Sequence, residues 1–286
     1  MLVSELKAQI KALPLSLAGK FVYYCLPYRR AVIRANIDQV YQQQLTEEEK
    51  VHLAKAFYSH LLRSIKEMLQ LRFISEEKLK ASVEIRGYER LLNIAENKKG
   101  VLILTGHFGN WEFAPIGGIL NFKEFQGQFH FIRKTLGNKF IEKILFRRYY
   151  QAGLNVIPKK NSLQQVCEAL DQNHAVVFVL DQHASIANKD GIATPFFGKK
   201  AGTFRSLASL ARHTGIPVVP AAGYRLSKGK HVLEFHEPIE WQEYDTVKES
   251  LYQNTLNYNE ALERIVLAHP EQWLWLHKRW KLKNID

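Results

Sequence analysis

A short, continuous apolar run at residues 101–105, Val-Leu-Ile-Leu-Thr, constrains the fold of this chain more than any other feature. Five residues without polar alternation, preceded by Gly100, are typical of a strand that is buried on both faces of a parallel sheet. Parallel strands are joined by crossover connections, which are usually helices. The run therefore predicts an α/β architecture, for which the 286 residues of the chain are sufficient.

Strand and helix patterns alternate along the rest of the chain. Residues 46–49 form a capping box, and the apolar residues that follow at helical spacing predict one long helix from about 46 to 72. Candidate strands are 83–85, 129–132, 156–157, 175–180, 218–223 and 232–235, and candidate helices are 88–97, 110–120, 139–151, 162–171, 203–214 and 247–268. We therefore predict an α/β fold with a largely parallel central sheet flanked by helices. Residues 1–79 are interpreted as a helical N-terminal appendage, interfacial or membrane-associating, and residues 80–286 as an α/β catalytic domain.

The most apolar N-terminal stretch, residues 12–28, is too interrupted to be a membrane span. It contains Pro14, Lys20 and Pro27, whereas a spanning helix needs roughly 20 uninterrupted apolar residues. It also lacks the small-residue cleavage site of a secretory signal. Apolar and aromatic residues beside lysines and arginines favour an interfacial helix that lies on an anionic membrane surface. A first helix packed on the domain is the open alternative.

The formal net charge of +12 and the sequence pI near 9.5 favour an acidic partner. Nucleic acid, an anionic membrane or an acidic carrier protein would each fit this charge. The basic residues are concentrated at 133–160 and again at 277–283. A solvated helix face and an exposed tail would produce the same two runs.

Candidate catalytic residues follow the 101–105 run directly, in the segment GHFGNWE at 106–112. In an open α/β sheet, ligands bind beyond the carboxyl ends of the strands. On one continuous helix, His107 and Glu112 would point about 140° apart, so they can meet only if His107 lies in a loop. The two glycines give the backbone that freedom, and Asn110 can cap a helix that carries Glu112 in its first turn.

A carboxylate beside His107 could fix the imidazole tautomer and leave the other nitrogen free to accept a proton. The chain has no GxSxG elbow, neither Cys25 nor Cys167 lies near a histidine in sequence, and the spacing does not fit HExxH zinc. What remains is a dyad that activates the substrate's own nucleophile, as direct acyl transfer from a thioester requires. A hydrolase would use the same dyad on water. A basic lipid- or nucleic-acid-binding protein would explain the charge but not this motif.

The segment GHFGNWE resembles the His-x4-acid motif of the glycerolipid acyltransferase superfamily, in the His-x4-Glu form of the lipid A late acyltransferases. Further blocks resemble this family in the right order: LPYRR at 26–30, RAN at 34–36, FIR at 131–133, Asn138, RR at 147–148 through Gly153, DQ at 181–182, TPFFG at 194–198 with Ala201 and Thr203, and PEQWLWLHKRW at 270–280. The resemblance covers nearly the whole chain. The chain departs from the family pattern at two places. Its N-terminal stretch is shorter and more interrupted than the membrane helix usual in the family. After Asp181 it reads Gln182-His183, at a position that varies within the family.

The resemblance implies an enzyme that moves a fatty acyl chain from an acyl carrier protein or coenzyme A thioester to a hydroxyl of a membrane lipid. A lipid A precursor is the expected acceptor, and another bacterial lysolipid or glycolipid is the alternative. A non-catalytic lipid-binding protein is the alternative function. In the enzyme, the resemblance implies that His107 is the general base and Glu112 its orienting partner.

The resemblance also implies substrate-binding roles for Arg133, Arg148, Asp181 and Asn110. Either arginine could stabilise the charge that develops on the thioester oxygen, or bind an acidic headgroup. Asp181 is expected at the crevice beyond its strand, with a helix or turn cap as the alternative.

No cofactor and no metal are expected, because one histidine and one carboxylate fall short of the three protein ligands usual for catalytic zinc. The expected location is the cytoplasmic face of the bacterial inner membrane, peripheral or N-terminally anchored, with no nucleic acid partner.

Overall fold

A seven-stranded sheet organises the structure, a computed structural model that describes residues 2–26, 28–96, 100–122, 125, 127–133, 146–227 and 229–282. Its strands are β1 (Val83–Arg86), β2 (Val101–Thr105), β3 (Phe129–Arg133), β4 (Leu154–Pro158), β5 (Ala175–Val179), β8 (Val218–Arg225) and β9 (His231–Phe235), while β6 (Gly191–Phe196) and β7 (Lys199–Phe204) form a separate hairpin. The strand order is β1-β9-β8-β2-β5-β3-β4. The predicted apolar run is therefore the central strand.

The sheet is mostly parallel, as the sequence predicts. Five neighbouring strands, β8-β2-β5-β3-β4, run in one direction, and β9 and β1 run in the opposite direction at one edge. The first four residues of β2 are buried because strands lie on both sides of β2 and helices cover the faces of the sheet. The carboxyl ends of β2 and β5 consequently meet at the same edge of the sheet, which is where ligands bind in open α/β folds.

The helices agree closely with the predicted segments. They are α1 (Val3–Ala12), α2 (Leu17–Cys25), α3 (Arg30–Tyr41), α4 (Glu47–Gln70), α5 (Glu76–Lys80), α6 (Glu89–Ala95), α7 (Phe113–Ile119), α8 (Leu163–Asp171), α9 (Ser206–Thr214) and α10 (Val247–Ala268), with a 3-10 turn at Pro270–Gln272. The predicted capping box starts α4, because Thr46 Oγ1 accepts from the Glu49 N–H and the Glu49 carboxylate accepts from the Thr46 N–H. In the predicted helix at 139–151, residues 146–151 are helical and 139–145 lie outside the described residues.

The predicted helix at 203–214 begins later than expected. Thr203 and Phe204 belong to β7, the second strand of a hairpin that the sequence patterns did not predict. The helical period starts only at Ser206, where α9 begins. The hairpin was missed because residues 191–204 contain no continuous apolar run and pair only with each other.

The N-terminal helices α1 to α5 pack against the rest of the protein, and one hydrophobic cluster joins them to the sheet. The helical region ends at Lys80, beside the predicted boundary, and the division at 79 stays a prediction. Helix α2 contacts α4 through Gly19 and Tyr23, while its opposite face is exposed, with Leu17 85% accessible. No helix among the described residues combines the length and the apolar character needed to cross a membrane. Anchoring through this region stays a prediction.

Candidate active site

His107 lies in the loop directly after β2, as the spacing of the motif predicts. Gly109 has φ +56°, and a Cβ there would lie 2.2 Å from the Gly223 carbonyl oxygen. A Cβ on Gly106 would lie 3.0 Å from the Asp181 side chain. Position 109 therefore requires glycine, a side chain at position 106 would press against Asp181, and the loop can turn tightly between β8 and Asp181.

The carboxylate that orients His107 is Asp181. Oδ1 of Asp181 is 2.9 Å from Nδ1 of His107, and Oδ2 accepts the His107 backbone N–H at 2.8 Å. The Trp273 indole N–H donates to Oδ2 at 3.0 Å. Since an ionised carboxylate only accepts hydrogen bonds, Nδ1 carries the proton and Nε2 carries the lone pair.

The pKa shifts of the pair agree with this assignment. Burial opposes charge on His107, but the neighbouring Asp181 carboxylate outweighs it and raises the His107 pKa above its ordinary value. Burial would raise the pKa of Asp181, yet the His107 charge and the hydrogen bonds from His107 and Trp273 lower it. Asp181 is only 3% exposed, whereas the His107 side chain is 23% exposed. The imidazole is thus the member of the pair that a substrate can reach.

Glu112 does not form the predicted hydrogen bond to His107, and this expectation is wrong. Its Oε1 accepts from Arg133 Nη2 at 3.3 Å, and its Oε2 accepts a short hydrogen bond from the Tyr149 hydroxyl. The chain turns through Trp111 before α7 begins, and the Trp111 ring meets the His107 ring edge-on at 5.4 Å. Glu112 therefore acts on His107 through its charge, which contributes to the raised His107 pKa.

The two predicted arginines lie in different surroundings. Arg133, at the end of β3, pairs with Glu112 and its guanidinium lies over the rings of Phe146 and Tyr149 at 4.6 and 5.3 Å. Its charge lowers the pKa of His107, so it belongs to the same electrostatic environment. Arg148 donates to the backbone carbonyls of Arg72 and Ile74 at 3.2 and 2.9 Å. It ties the helical residues 146–151 to the turn after α4.

Asn110 caps the N-terminus of α7, as the sequence predicts. Its Oδ1 accepts from the Phe113 N–H at 3.1 Å, and its Nδ2 donates to Glu67 Oε2 at 3.1 Å. With 1% exposure it is closed to solvent, as Asp181 is. Substrate contact by Asn110 and Asp181 stays a prediction that this closed placement does not favour.

A buried polar network that the sequence did not reveal holds Asn110 in place. Arg225, the last residue of β8, donates Nε to Glu67 Oε1 at 3.0 Å and Nη2 to Glu67 Oε2 at 2.5 Å. Its Nη1 contacts His60 Nδ1 at 2.7 Å, and His60 Nε2 is 3.1 Å from the Gly109 carbonyl. Burial and the Arg225 charge lower the pKa of His60 to about 3, so this histidine is neutral. Helix α4 thereby fixes Gly109 and Asn110, at the end of the catalytic loop that leads into α7.

The C-terminal segment closes the loop from the other side. The Gly109 N–H donates to the Gln272 carbonyl at 2.8 Å, and the Leu274 N–H donates to the His107 carbonyl at 3.1 Å. Trp273 and Trp275 are buried, so both side chains pack on the domain. In the sequence, the family-like block PEQWLWLHKRW at 270–280 had indicated that this segment is important.

Comparison with known proteins identifies the family. Residues 10–282 match the sequence model of a family described as bacterial lipid A biosynthesis acyltransferase. The chain belongs to this family. The resemblance seen in the GHFGNWE segment and the later blocks is therefore confirmed over residues 10–282 of the 286-residue chain.

The relatives of this acyltransferase have low sequence identity to it, but their matches cover most of its length. A lipid A biosynthesis palmitoleoyltransferase of Escherichia coli (strain K12) is 23% identical over 261 residues, 91% of this chain and 81% of the relative. A lipid A biosynthesis acyltransferase of Shigella flexneri matches with the same identity and coverage. A lipid A biosynthesis lauroyltransferase of E. coli K12 is 21% identical over 272 residues, 93% of this chain and 83% of the relative.

Proposed function

We propose that this protein transfers a fatty acyl chain from an acyl carrier protein or coenzyme A thioester to a hydroxyl of a lipid A precursor. The observation that carries the proposal is the paired His107 and Asp181 beyond the central strand, with the lone pair of His107 Nε2 available to a substrate. Family membership supports acyl transfer in lipid A biosynthesis. Cys25 lies on α2 and Cys167 on α8, so neither thiol belongs to the loop that carries His107.

The reaction follows from general base catalysis. Nε2 of His107 takes the proton of the acceptor hydroxyl while the oxygen attacks the thioester carbonyl carbon. The imidazolium that forms is stabilised by Asp181, which stays ionised because its pKa is lowered. As the tetrahedral intermediate collapses, the C–S bond breaks and the leaving thiolate takes the proton from Nε2. No covalent enzyme intermediate is needed.

Arg133 and the exposed basic residues give the acidic substrates a favourable environment. The net charge of +12 suits an acidic carrier protein and an anionic lipid equally. Arg133 is one third exposed beside Glu112, so it can also contact an acidic headgroup near His107.

Docking on the cytoplasmic face of the inner membrane would bring the acyl chain to this site. The exposed side of α2 presents Leu17, Phe21 and Tyr24 at helical spacing, with Lys20 exposed between them. Such a face is typical of an interfacial helix, with its apolar side chains in the acyl region and its charge at the headgroups. Arg34 is less available for binding a lipid headgroup, because its guanidinium pairs with the Glu47 carboxylate at 2.5 Å.

Mass spectrometry of lipids from cells with and without the protein tests this function. We expect a lipid A species that lacks one acyl chain when the protein is absent, and full restoration by the wild-type chain. His107→Ala should accumulate to the same level without restoring the missing chain. Restoration by His107→Ala would point to a lipid-binding role, and an unchanged lipid A profile would contradict the proposed acceptor.

A further inference from the structure

The loop that carries His107 has no free backbone N–H at residues 107–109. The His107 N–H donates to Asp181 Oδ2, the Phe108 N–H to the Gly106 carbonyl at 3.0 Å, and the Gly109 N–H to the Gln272 carbonyl. Acyl transfer places negative charge on the thioester oxygen, where hydrogen-bond donors are needed. A donor for that oxygen must therefore come from outside these three residues.

Gln182 places a side-chain amide next to the free nitrogen of His107. Its Nε2 is 3.4 Å from His107 Nε2. Because His107 Nε2 carries the lone pair, the amide is the donor in this contact. The amide has a second hydrogen with no acceptor among the described residues, and the side chain is half-buried, so it borders the space that a substrate would enter.

The backbone of Gln182 is held in place by Arg279, a cation with 0% exposure. Arg279 Nη1 donates to the Gln182 carbonyl at 3.1 Å, and Nη2 donates to Thr203 Oγ1 at 2.7 Å. Asp181, the preceding residue, is fixed by His107 and Trp273. The fixed backbone restricts where the amide can lie, and a donor held close to the reacting atoms is effective on a developing charge.

Arg133 is the other candidate for this task, and its geometry is less suitable. Its Nη2 donates to Glu112, and its guanidinium is stacked over two aromatic rings. It would have to leave Glu112 to reach the reacting oxygen, whereas Gln182 already touches the base.

We propose that the Gln182 amide binds the thioester carbonyl oxygen and stabilises the oxyanion during transfer, a role that rests on the acyl transfer proposed above. In the free enzyme the amide donates to His107 Nε2. When the acceptor hydroxyl takes that place, the amide N–H donates to the carbonyl oxygen. The negative charge returns to the thiolate as the C–S bond breaks, and the thiolate takes the proton held by Nε2.

The test compares kcat and KM of Gln182→Leu, Gln182→Asn and wild type, with a panel of acyl thioesters and a lipid A precursor. Losing one oxyanion donor costs about 10²–10³ in kcat, so we expect that loss in Gln182→Leu and a smaller one in Gln182→Asn. The KM for the thioester should stay within about threefold. Gln164→Leu, an exposed glutamine on α8, is the matched control and should behave as wild type.

A second readout does not depend on turnover. Donation from Gln182 to Nε2 stabilises neutral His107, so its removal should raise the pKa of His107, measured by NMR titration and assigned with His107→Ala. An unchanged kcat in Gln182→Leu, in an enzyme whose wild type transfers acyl chains, would overturn the role of Gln182 alone. Wild-type protein that transfers no acyl chain would overturn the proposed function, and this role with it.

Discussion

The Trp273 indole N–H donates to Oδ2 of Asp181 at 3.0 Å, across 92 residues of sequence. The carboxylate that orients His107 thus depends on the C-terminal segment as well as on the end of β5. A hydrogen bond to a charged group contributes about 1.5–3 kcal/mol. The C-terminal block is consequently part of the site that it closes.

Replacing Asp181 by Asn should reduce kcat by about 10⁴, as the wrong imidazole tautomer does in a Ser-His-Asp triad. The Asn side chain has similar size but can donate to Nδ1, so Nε2 would carry the proton and could not act as a base. Steady-state kinetics measure the loss, and circular dichroism checks that the fold is kept. Full activity in this variant would show that Asp181 does not control the tautomer.

Activity should rise with pH as His107 loses its proton. The pKa of His107 is raised above the ordinary 6.5, mainly because the attraction of Asp181 overcomes the effect of burial. Protonated His107 cannot accept the hydroxyl proton, so the acidic limb of kcat/KM should report a pKa above 6.5. A pH–rate profile for wild type measures it. A limb at or below 6.5 would contradict the dominance of Asp181.

Breaking the Glu67–Arg225 pair should strongly destabilise the fold. Both side chains are buried, and the nearby His231 ring together with the hydrogen bonds from Arg225 holds the pKa of Glu67 well below its usual range despite burial. Removing one partner leaves the other charge buried, which costs about 3–5 kcal/mol. Urea unfolding of Arg225→Met measures this loss.

The exposed pair of Arg212 and Glu243 provides the control for that experiment. Exposed pairs contribute roughly 0–1 kcal/mol, so Arg212→Met should change the free energy of unfolding little. Equal effects of the two substitutions would mean that burial does not set the strength of the Glu67–Arg225 pair.

Membrane binding should depend on the exposed face of α2. Full burial of a Leu or Phe side chain contributes roughly 1.5–3 kcal/mol, so Leu17→Gln with Phe21→Ser should weaken binding to anionic liposomes about tenfold or more. Leu163→Gln, at an exposed leucine on α8, is the control. Sedimentation at low and high salt measures binding, and salt should weaken it. Equal, salt-insensitive binding to neutral and anionic liposomes would assign the positive charge to another partner, foremost the acidic carrier protein.

Local patterns in the sequence were sufficient to place β2, the loop at His107 and the start of α4. Each depends on neighbouring residues only: an apolar run, a glycine beside a histidine, a capping box. The same reasoning paired His107 with Glu112, the nearest acid in sequence, and that pairing was wrong.

The partner of His107 could not be found without the strand order. Thr105 and Val179 lie opposite each other in the parallel pairing of β2 and β5, and the chain reaches His107 and Asp181 two residues beyond them. The sequence placed each residue after a strand, but it could not show that these two strands are neighbours. Glu67 and Arg225 are 158 residues apart, and a helical period alone does not distinguish a buried glutamate from a solvated one.

Acyl transfer by purified wild-type protein and by His107→Ala is the most direct test of His107 as the general base. With an acyl carrier protein thioester and a lipid A precursor, mass spectrometry should detect a product of wild type that has gained one acyl chain. General base catalysis contributes about 10²–10⁴ in rate, so His107→Ala should be slower by that factor while it still binds liposomes. A rate for His107→Ala within about threefold of wild type, or thioester hydrolysis without transfer by wild type, would contradict this mechanism.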